Sequence, residues 1–163
     1  MEQDLIIPRD TSVYKPNQEI REQIINFQTM LQNVDDEDYI VVDDKNSTKL
    51  CPLKHTFSDG IYVREIFIPA GMFIVGKIHK HDHPNFLLKG EVIVVTEDGT
   101  EELVGPLSII SKAGTKRALY AKTDLVWTTV HANPTNTEDL KELEKEIIAP
   151  TYLDYEKFKQ LKQ

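Results

Sequence analysis

The 163-residue chain is poor in several residue types, and each scarcity excludes a class of protein. Its one cysteine, Cys51, rules out an internal disulfide and fits a reducing compartment, so we expect a cytoplasmic protein. We interpret Cys51 as a small buried apolar residue. No run approaches the roughly 18 apolar residues that span a bilayer, and the N-terminus has no basic segment of a signal peptide. We therefore predict no membrane partner.

Basic side chains are also scarce. Nineteen Lys and Arg face 27 Asp and Glu, which gives a formal net charge of −8. Proteins that bind nucleic acid generally carry a basic surface, so the balance predicts no nucleic-acid partner. The length suffices for one domain with a sizeable core but not for two.

The N-terminal part of the chain contains one amphipathic pattern. After Asn17, apolar residues recur at helical spacing: Ile20, Ile24, Phe27, Leu31 and Val34. Asn17 is a suitable N-cap because its side chain accepts hydrogen bonds from the first free N–H groups. The pattern predicts an irregular arm and one helix over residues 1–38, ended by the acidic residues 35–38.

Strand-like sequence fills residues 39–132. Short runs such as "GIYVREIFIP", "EVIVVTED" and "LVWTTVH" are rich in β-branched and aromatic residues, and Gly, Pro or Asp separate them. The "EDGT" at residues 97–100 predicts a hairpin, since Gly tolerates the positive φ of tight turns. The spacing predicts a mainly β, antiparallel sandwich or barrel.

A helical tail is predicted over residues 133–163. Leu140, Leu143 and Ile147 share a helix face, Asn136 or Thr137 is placed to cap it, and Pro150 ends it. The final "YLDYEKFKQLKQ" predicts a last short helix.

Three of the five histidines lie within five residues, at His79, His81 and His83. If residues 77–85 are extended, these three side chains and Asn85 share one face. Imidazoles on one strand face can converge on a metal. The alternative is a solvated, His-rich loop, and spacing alone leaves the metal undecided among Zn, Fe, Ni and Cu.

Two segments carry a family resemblance: "IPAGMFIVGKIHKHDHPNFLLKGEVIVVTEDG" and "GPLSIISKAGTKRALYA". They resemble the two motifs of the cupin superfamily. The resemblance implies an antiparallel RmlC-like jelly-roll barrel, here with flanking N- and C-terminal α-helices. The phrases "GKIH", "TEDG" and "VWTTVH" are similar to small bacteriophage-encoded cupins. That similarity implies a phage protein, in the host cytoplasm or in the virion.

The resemblance also implies ligand positions. Counting back from Gly90 places His83 at the usual acidic ligand, His79 at the second His of the H-x-H pair and Lys77 at the first. In an alternative register, His79 and His81 form the pair. Arg117 stands at the fourth ligand position, and Arg cannot ligate a metal because it stays protonated.

A replacement ligand is His131, on the strand that follows Arg117. That strand can return beside the first motif in a barrel, although His131 could equally be a core histidine bonded to a carbonyl. The predicted metal ligands are therefore His79, His83 and His131, with His81 the least certain. His55 is a weaker candidate. Glu65 is either a carboxylate near the metal or an outward residue.

Arg117 has a second interpretation as an anion-binding group. An inward Arg in a barrel mouth binds carboxylate or phosphate bidentately, and Lys77, Lys116 and Asn85 are placed to contribute to a small-ligand site. The alternative is that Arg117 pairs with a surface acid. A small anionic ligand is therefore the predicted partner of the cavity.

Two kinds of function remain open. One is a metal-dependent cupin enzyme, such as a dioxygenase, isomerase or lyase, with no reaction identified by the sequence. The other is a non-catalytic binding or assembly module, such as a phage accessory or virion component. A homodimer is expected in both cases, because sheet edges attract partners and flanking helices need burial.

Overall fold

Two five-stranded sheets form the body of the protein. The computed structural model describes residues 17–34, 39–41 and 47–161, so the N-terminal arm and the acidic residues 35–38 lie outside the described residues. The first sheet contains, in spatial order, β1 (Tyr39–Val41), β4 (Phe73–Val75), β10 (Ala118–Ala121), β7 (Glu91–Thr96) and β8 (Gly99–Val104). Its pairings are antiparallel except for β1 with β4, which is parallel.

The second sheet carries most of the residues that matter below. Its order is β2 (Leu53–Ser58), β3 (Ile61–Ile68), β11 (Leu125–Ala132), β6 (His83–Lys89) and β9 (Leu107–Ser111), with every pairing antiparallel. A separate two-stranded sheet joins β5 (Ile78–His79) to β12 (Ile148–Ala149). The helices are α1 (Gln18–Gln32), α2 (Ser47–Leu50), α3 (Leu140–Ile147) and α4 (Tyr152–Gln160).

The main core lies between the inner faces of the two sheets. It is apolar and contributed by both sheets, through Ile66, Ile68, Leu87, Leu125 and Trp127 on one side and Ile74, Val92, Val94 and Ala121 on the other. Strand alternation produces this, since every second residue of each strand points inward. Cys51 belongs to the same core, and burial raises the pKa of its thiol to about 11, which confirms the predicted inert role.

Glycine is required at the end of β6. Gly90 has a φ of +99°, and a Cβ there would collide with the carbonyl oxygen of Asp124. The predicted "EDGT" hairpin is confirmed: β7 and β8 pair across it, with Gly99 at a φ of +131°. These turns fix the registers that bring the inward residues of neighbouring strands together.

The N-terminal helix forms as predicted and covers the first sheet. The Asn17 side chain accepts from the backbone N–H groups of Glu19 and Ile20, so it is the N-cap. Ile24 and Leu31 pack on Val75 and Ala118. The helix α1 therefore covers the outer face of the first sheet at β4 and β10.

The C-terminal helices also form, but the predicted cap of α3 is wrong. Asp139, not Asn136 or Thr137, caps it, by accepting from the N–H groups of Lys141 and Glu142. Asn136 is unavailable because its side chain binds the backbone of Gly60 and the carboxylate of Asp59.

The observed architecture confirms the predicted mainly β, antiparallel body with helices before and after it. None of the helices within the described ranges is both long enough and apolar enough to cross a membrane.

Candidate metal centre and anion cavity

One end of the space between the sheets is a cavity of about 350 Å³. Inward residues of β2, β3, β6 and β11 form one wall, and residues 76–79 with Arg117 and Leu119 form the opposite one. Leu140, Leu143 and Ile147 of α3 close a third side. Residues of the C-terminal tail thus line part of the cavity, whereas the sequence analysis predicted a ligand site made of barrel residues.

Three histidines meet in this cavity. His79 ends β5, His83 begins β6 and His131 lies near the end of β11. Each offers a ring nitrogen, and these nitrogens all lie within 4.8 Å of one another. The ring centroids are 4.2 to 5.2 Å apart. The structure therefore brings together the three histidines predicted as ligands, which we call the His trio.

The His trio is held in the neutral form. Burial lowers the pKa of His83 to about 4 and that of His131 to about 3. Burial, followed by the neighbouring His83 and His131, holds the pKa of His79 well below its ordinary value. Neutral imidazoles are the form that ligates metals.

The hydrogen bonds of His83 leave one nitrogen for the cavity. Its Nδ1 lies 3.0 Å from the carbonyl oxygen of His81, so Nδ1 carries the proton and donates it. Its Nε2 is buried and has no hydrogen-bond partner. A buried acceptor without a partner is costly, and a metal ion is the kind of group that would use its lone pair.

His81 does not join the trio. The prediction that residues 77–85 form one extended strand is wrong, because β5 ends at His79 and β6 begins only at His83. The chain bends between them, where the Asp82 carboxylate accepts from the N–H of Ala113 at 2.9 Å. His81 is exposed and its ring meets Phe158 edge-on at 5.3 Å.

Asn85 forms hydrogen bonds that hold the strand carrying His83 in place. It is fully buried, its amide nitrogen donates to the carbonyl oxygen of His83 at 3.2 Å and to the hydroxyl of Ser111, and its oxygen accepts from Trp127 Nε1 at 2.9 Å. These bonds connect β6 with β9 and β11, so Asn85 fixes the position of His83.

Arg117 points inward, as predicted. Its guanidinium lines the cavity, donates to the hydroxyl of Ser111 and lies over the Trp127 ring at 5.8 Å. Burial lowers its pKa to about 10. The alternative of a surface ion pair is not what the structure shows.

The two lysines predicted to help Arg117 bind protein groups instead. The ammonium of Lys77, at the cavity wall, pairs with the Glu144 carboxylate of α3. The ammonium of Lys116 donates to the carbonyl oxygen of Gly76 at 3.0 Å. Lys77 therefore helps to hold α3 against the barrel.

Glu65 and His55 are placed apart from the trio. Glu65 faces outward, where its carboxylate lies 4.0 Å from Lys54 Nζ. His55 lines the cavity, but its Nδ1 lies 2.7 Å from the hydroxyl of Tyr62. Tyr62 in turn stacks near His131, with ring centroids 6.1 Å apart.

Sequence reasoning missed Arg64. On β3, Tyr62, Arg64 and Ile66 alternate with the outward Glu65, and Arg64 lines the cavity. The sequence "YVREIF" could have revealed it, because neighbouring residues of a strand point to opposite faces and an outward Glu65 therefore implies an inward Arg64. Ser111 and Thr129 of the lining were also missed.

Comparison with known proteins gives likeness in fold. No protein-family model matches the chain, and no curated protein matches it. Ectoine synthase from P. lautus is 18% identical, with 74% of this chain and 85% of that one covered and a TM-score of 0.49. A conserved Streptococcus pyogenes protein of unknown function is 17% identical over 63% and 88%, with a TM-score of 0.43. A cupin domain from Bordetella pertussis is 17% identical over 51% and 93%, with a TM-score of 0.41. Cupin-superfamily proteins are thus among the structures that this chain resembles.

Proposed function

We propose that the His trio binds a divalent transition metal and that the cavity beside it receives a small anionic ligand. The observation that carries the proposal is the buried Nε2 of His83, which has no hydrogen-bond partner and faces two other neutral imidazoles. Nitrogens bound to one tetrahedral metal lie about 3.4 Å apart, because each bond is about 2.1 Å long. Nitrogens within 4.8 Å reach that spacing through small ring movements.

The donor set narrows the chemistry. Three imidazoles without a carboxylate suit Zn, Fe, Ni or Cu rather than Mg or Ca. Three protein ligands leave coordination positions open for water or a ligand. A metal bound there would act as a Lewis acid and lower the pKa of a bound water.

The charge of the cavity supports an anionic ligand. The carboxylate at its wall, Glu144, is paired with Lys77. Among the described residues, the partners of the Arg117 guanidinium are the Ser111 hydroxyl and the Trp127 ring, both uncharged. A guanidinium in a partly buried site favours carboxylate or phosphate groups. The proposal is a metal-dependent small-ligand site, and no particular reaction follows from these groups.

Metal analysis tests the proposal. Protein purified without a His-tag or chelator is analysed for metal by mass spectrometry, beside His79→Ala/His83→Ala and His81→Ala. We expect the wild type to hold about one metal per chain, the double variant to hold none, and His81→Ala, which alters an exposed ring, to keep the wild-type content. A double variant with undiminished metal would place the metal elsewhere and contradict the proposal.

A second candidate function, assembly, is favoured by the outer face of the second sheet. The corresponding face of the first sheet is covered by α1 at β4 and β10, but here Phe67, Phe86, Leu88 and Ile110 are exposed. Ile110 is 64% exposed and pairs with Pro84 of β6, which lies two residues from Phe86 on the same face of the strand. Apolar patches of this kind are typical of protein interfaces, and we propose that a second copy covers this one.

Sedimentation tests the dimer. At micromolar concentration we expect a dimer for the wild type and a monomer for Phe86→Glu, because a charge in the centre of the interface is not solvated. Val104→Glu is the control, since Val104 is also apolar and exposed but lies on the first sheet. A wild-type monomer would refute this second candidate. Phage origin, with a place in the host cytoplasm or in the virion, stays a prediction from the sequence.

A further inference from the structure

Arg64 is a cation that faces the cavity and has no ion-pair partner in the part of the chain that the structure describes. The inner face of β3 presents it between Tyr62 and Ile66, opposite Thr129 of β11. Among the described residues, no hydrogen bond or ion pair reaches its guanidinium. It is half-buried, and burial lowers its pKa.

A charge held in this way costs stability. Removing a guanidinium from water without a counter-ion is unfavourable, so buried arginines are generally paired. Glu144 is near enough to oppose the lowering of the Arg64 pKa, but its carboxylate is engaged by Lys77. A cavity cation that no carboxylate of the described residues pairs with favours the binding of an anion.

Arg117 provides a second positive charge in another part of the same cavity. Its partners, Ser111 and Trp127, are neutral. Arg64 belongs to the second sheet, whereas Arg117 immediately precedes β10 of the first. Both line the cavity, so the two guanidiniums reach it from different sheets, on opposite walls.

We propose that the cavity takes a small molecule with two separated anionic groups, one bound by Arg64 and the other by Arg117. The inference rests on the proposed function for the location of the ligand beside the His trio. A carboxylate matches the planar fork of a guanidinium, and apolar wall residues such as Leu119 and Leu143 suit a short carbon chain between the groups. Since 350 Å³ is near the lower limit for ligand pockets, the class that fits is a short dicarboxylate.

Calorimetry with defined probes tests the two-arginine site. Glutarate and valerate have the same number of carbon atoms but differ in the second carboxylate, and inorganic phosphate carries its charge on one group. The full chain is titrated with each probe, once after chelator treatment and once loaded with zinc. We expect glutarate to bind at least about 10-fold more tightly than valerate or phosphate, because each paired charge contributes 1.4 kcal/mol or more, about a factor of ten.

Substitutions assign that preference to the two arginines. Arg64→Met and Arg117→Met should each weaken glutarate about 30-fold or more. Lys54→Met is the matched control, because it removes a cation from the outer face of the same sheet, beside Glu65, and should leave glutarate unchanged. Should Arg64→Met fail to fold, Arg64→Lys keeps the charge without the planar fork and must still weaken glutarate.

Three results would overturn the inference: valerate binding as tightly as glutarate, Arg64→Met leaving glutarate unchanged, or phosphate binding as tightly as glutarate through both arginines. The metal proposal fails separately. Wild-type protein that takes up no metal but prefers glutarate through Arg64 would refute the metal and support the two-arginine site. Protein that binds metal but does not prefer glutarate would support the metal site and refute the two-arginine site.

Discussion

The three central strands of the second sheet line two very different ends of one interior. At the core end they contribute the apolar row Ile66, Leu87 and Trp127; at the cavity end they contribute Tyr62, Arg64, Asn85, His83, Thr129 and His131. One inward step along a strand, about 7 Å, separates the two environments. The backbone is continuous across the change, so the same strands carry core-forming and cavity-lining groups.

The two ends should respond differently to conditions and substitutions. The core end gains free energy from buried apolar surface. The cavity end holds neutral histidines and guanidiniums away from water, which lowers the free energy of unfolding unless a ligand compensates. Three predictions test this contrast, from the largest expected effect to the smallest.

Acid should act through the cavity end. The pKa values of His83 and His131 in the folded protein, about 4 and about 3, lie below the ordinary 6.5, so the unfolded chain binds more protons between these values. The contribution of each histidine to the free energy of unfolding is fully present above pH 6.5. It falls by about 1 kcal/mol per pH unit as the pH drops toward 4 for His83 and toward 3 for His131. Urea unfolding of chelator-treated protein from pH 7 to 4 measures this. His131→Gln should flatten the slope, and an unchanged slope would contradict the assignment.

The core end should be sensitive to lost volume. Leu87→Ala removes a buried side chain from between the sheets and should lower the free energy of unfolding by about 3 kcal/mol. Val104 is 58% exposed and lies on the first sheet, outside the proposed dimer interface, so Val104→Ala should change stability by less than about 0.5 kcal/mol. Urea denaturation of both variants makes the comparison. Equal losses would contradict it.

Removing a cavity cation should stabilise the protein. Arg64→Met replaces an unpaired guanidinium by an apolar side chain of similar length and should raise the free energy of unfolding by about 1 kcal/mol in ligand-free protein. Arg21 is the matched control: it is buried and its Nε lies 2.5 Å from Glu97 Oε1, so Arg21→Met removes the cation that pairs with a buried carboxylate and should destabilise. Thermal unfolding would contradict the contrast if both variants lost stability.

The sequence predicted a mainly β fold because strand alternation and turn residues are local patterns. The family resemblance and a returning barrel strand suggested His79, His83 and His131, and the structure brings these three rings together. His81, the least certain of the predicted ligands, lies apart from them because the bend at residues 80–82 depends on distant partners: the Lys80 N–H donates to the carbonyl oxygen of Ile147 at 2.7 Å, and Asp82 binds the backbone of Ala113. No local pattern contains those contacts.

Arg64 shows a different limit. Its inward direction follows from the alternation of β3, but its lack of a partner depends on which side chains face it from other strands and from α3. The pairing of Lys77 with Glu144 is likewise formed between residues 67 apart in the chain. Which charges pair across a cavity depends on the tertiary structure, whereas the composition gives only the net charge.

The short β12 strand limits how far the protein can be truncated from its C-terminal side. Its Ile148 pairs with His79, and the preceding Leu143 and Ile147 pack on Tyr62. A shortened protein that stops at residue 132 would keep all three histidines of the trio and both cavity arginines. It would nevertheless expose Tyr62 and leave β5 without its partner strand, so a shortened protein that keeps the cavity closed has to extend through residue 149.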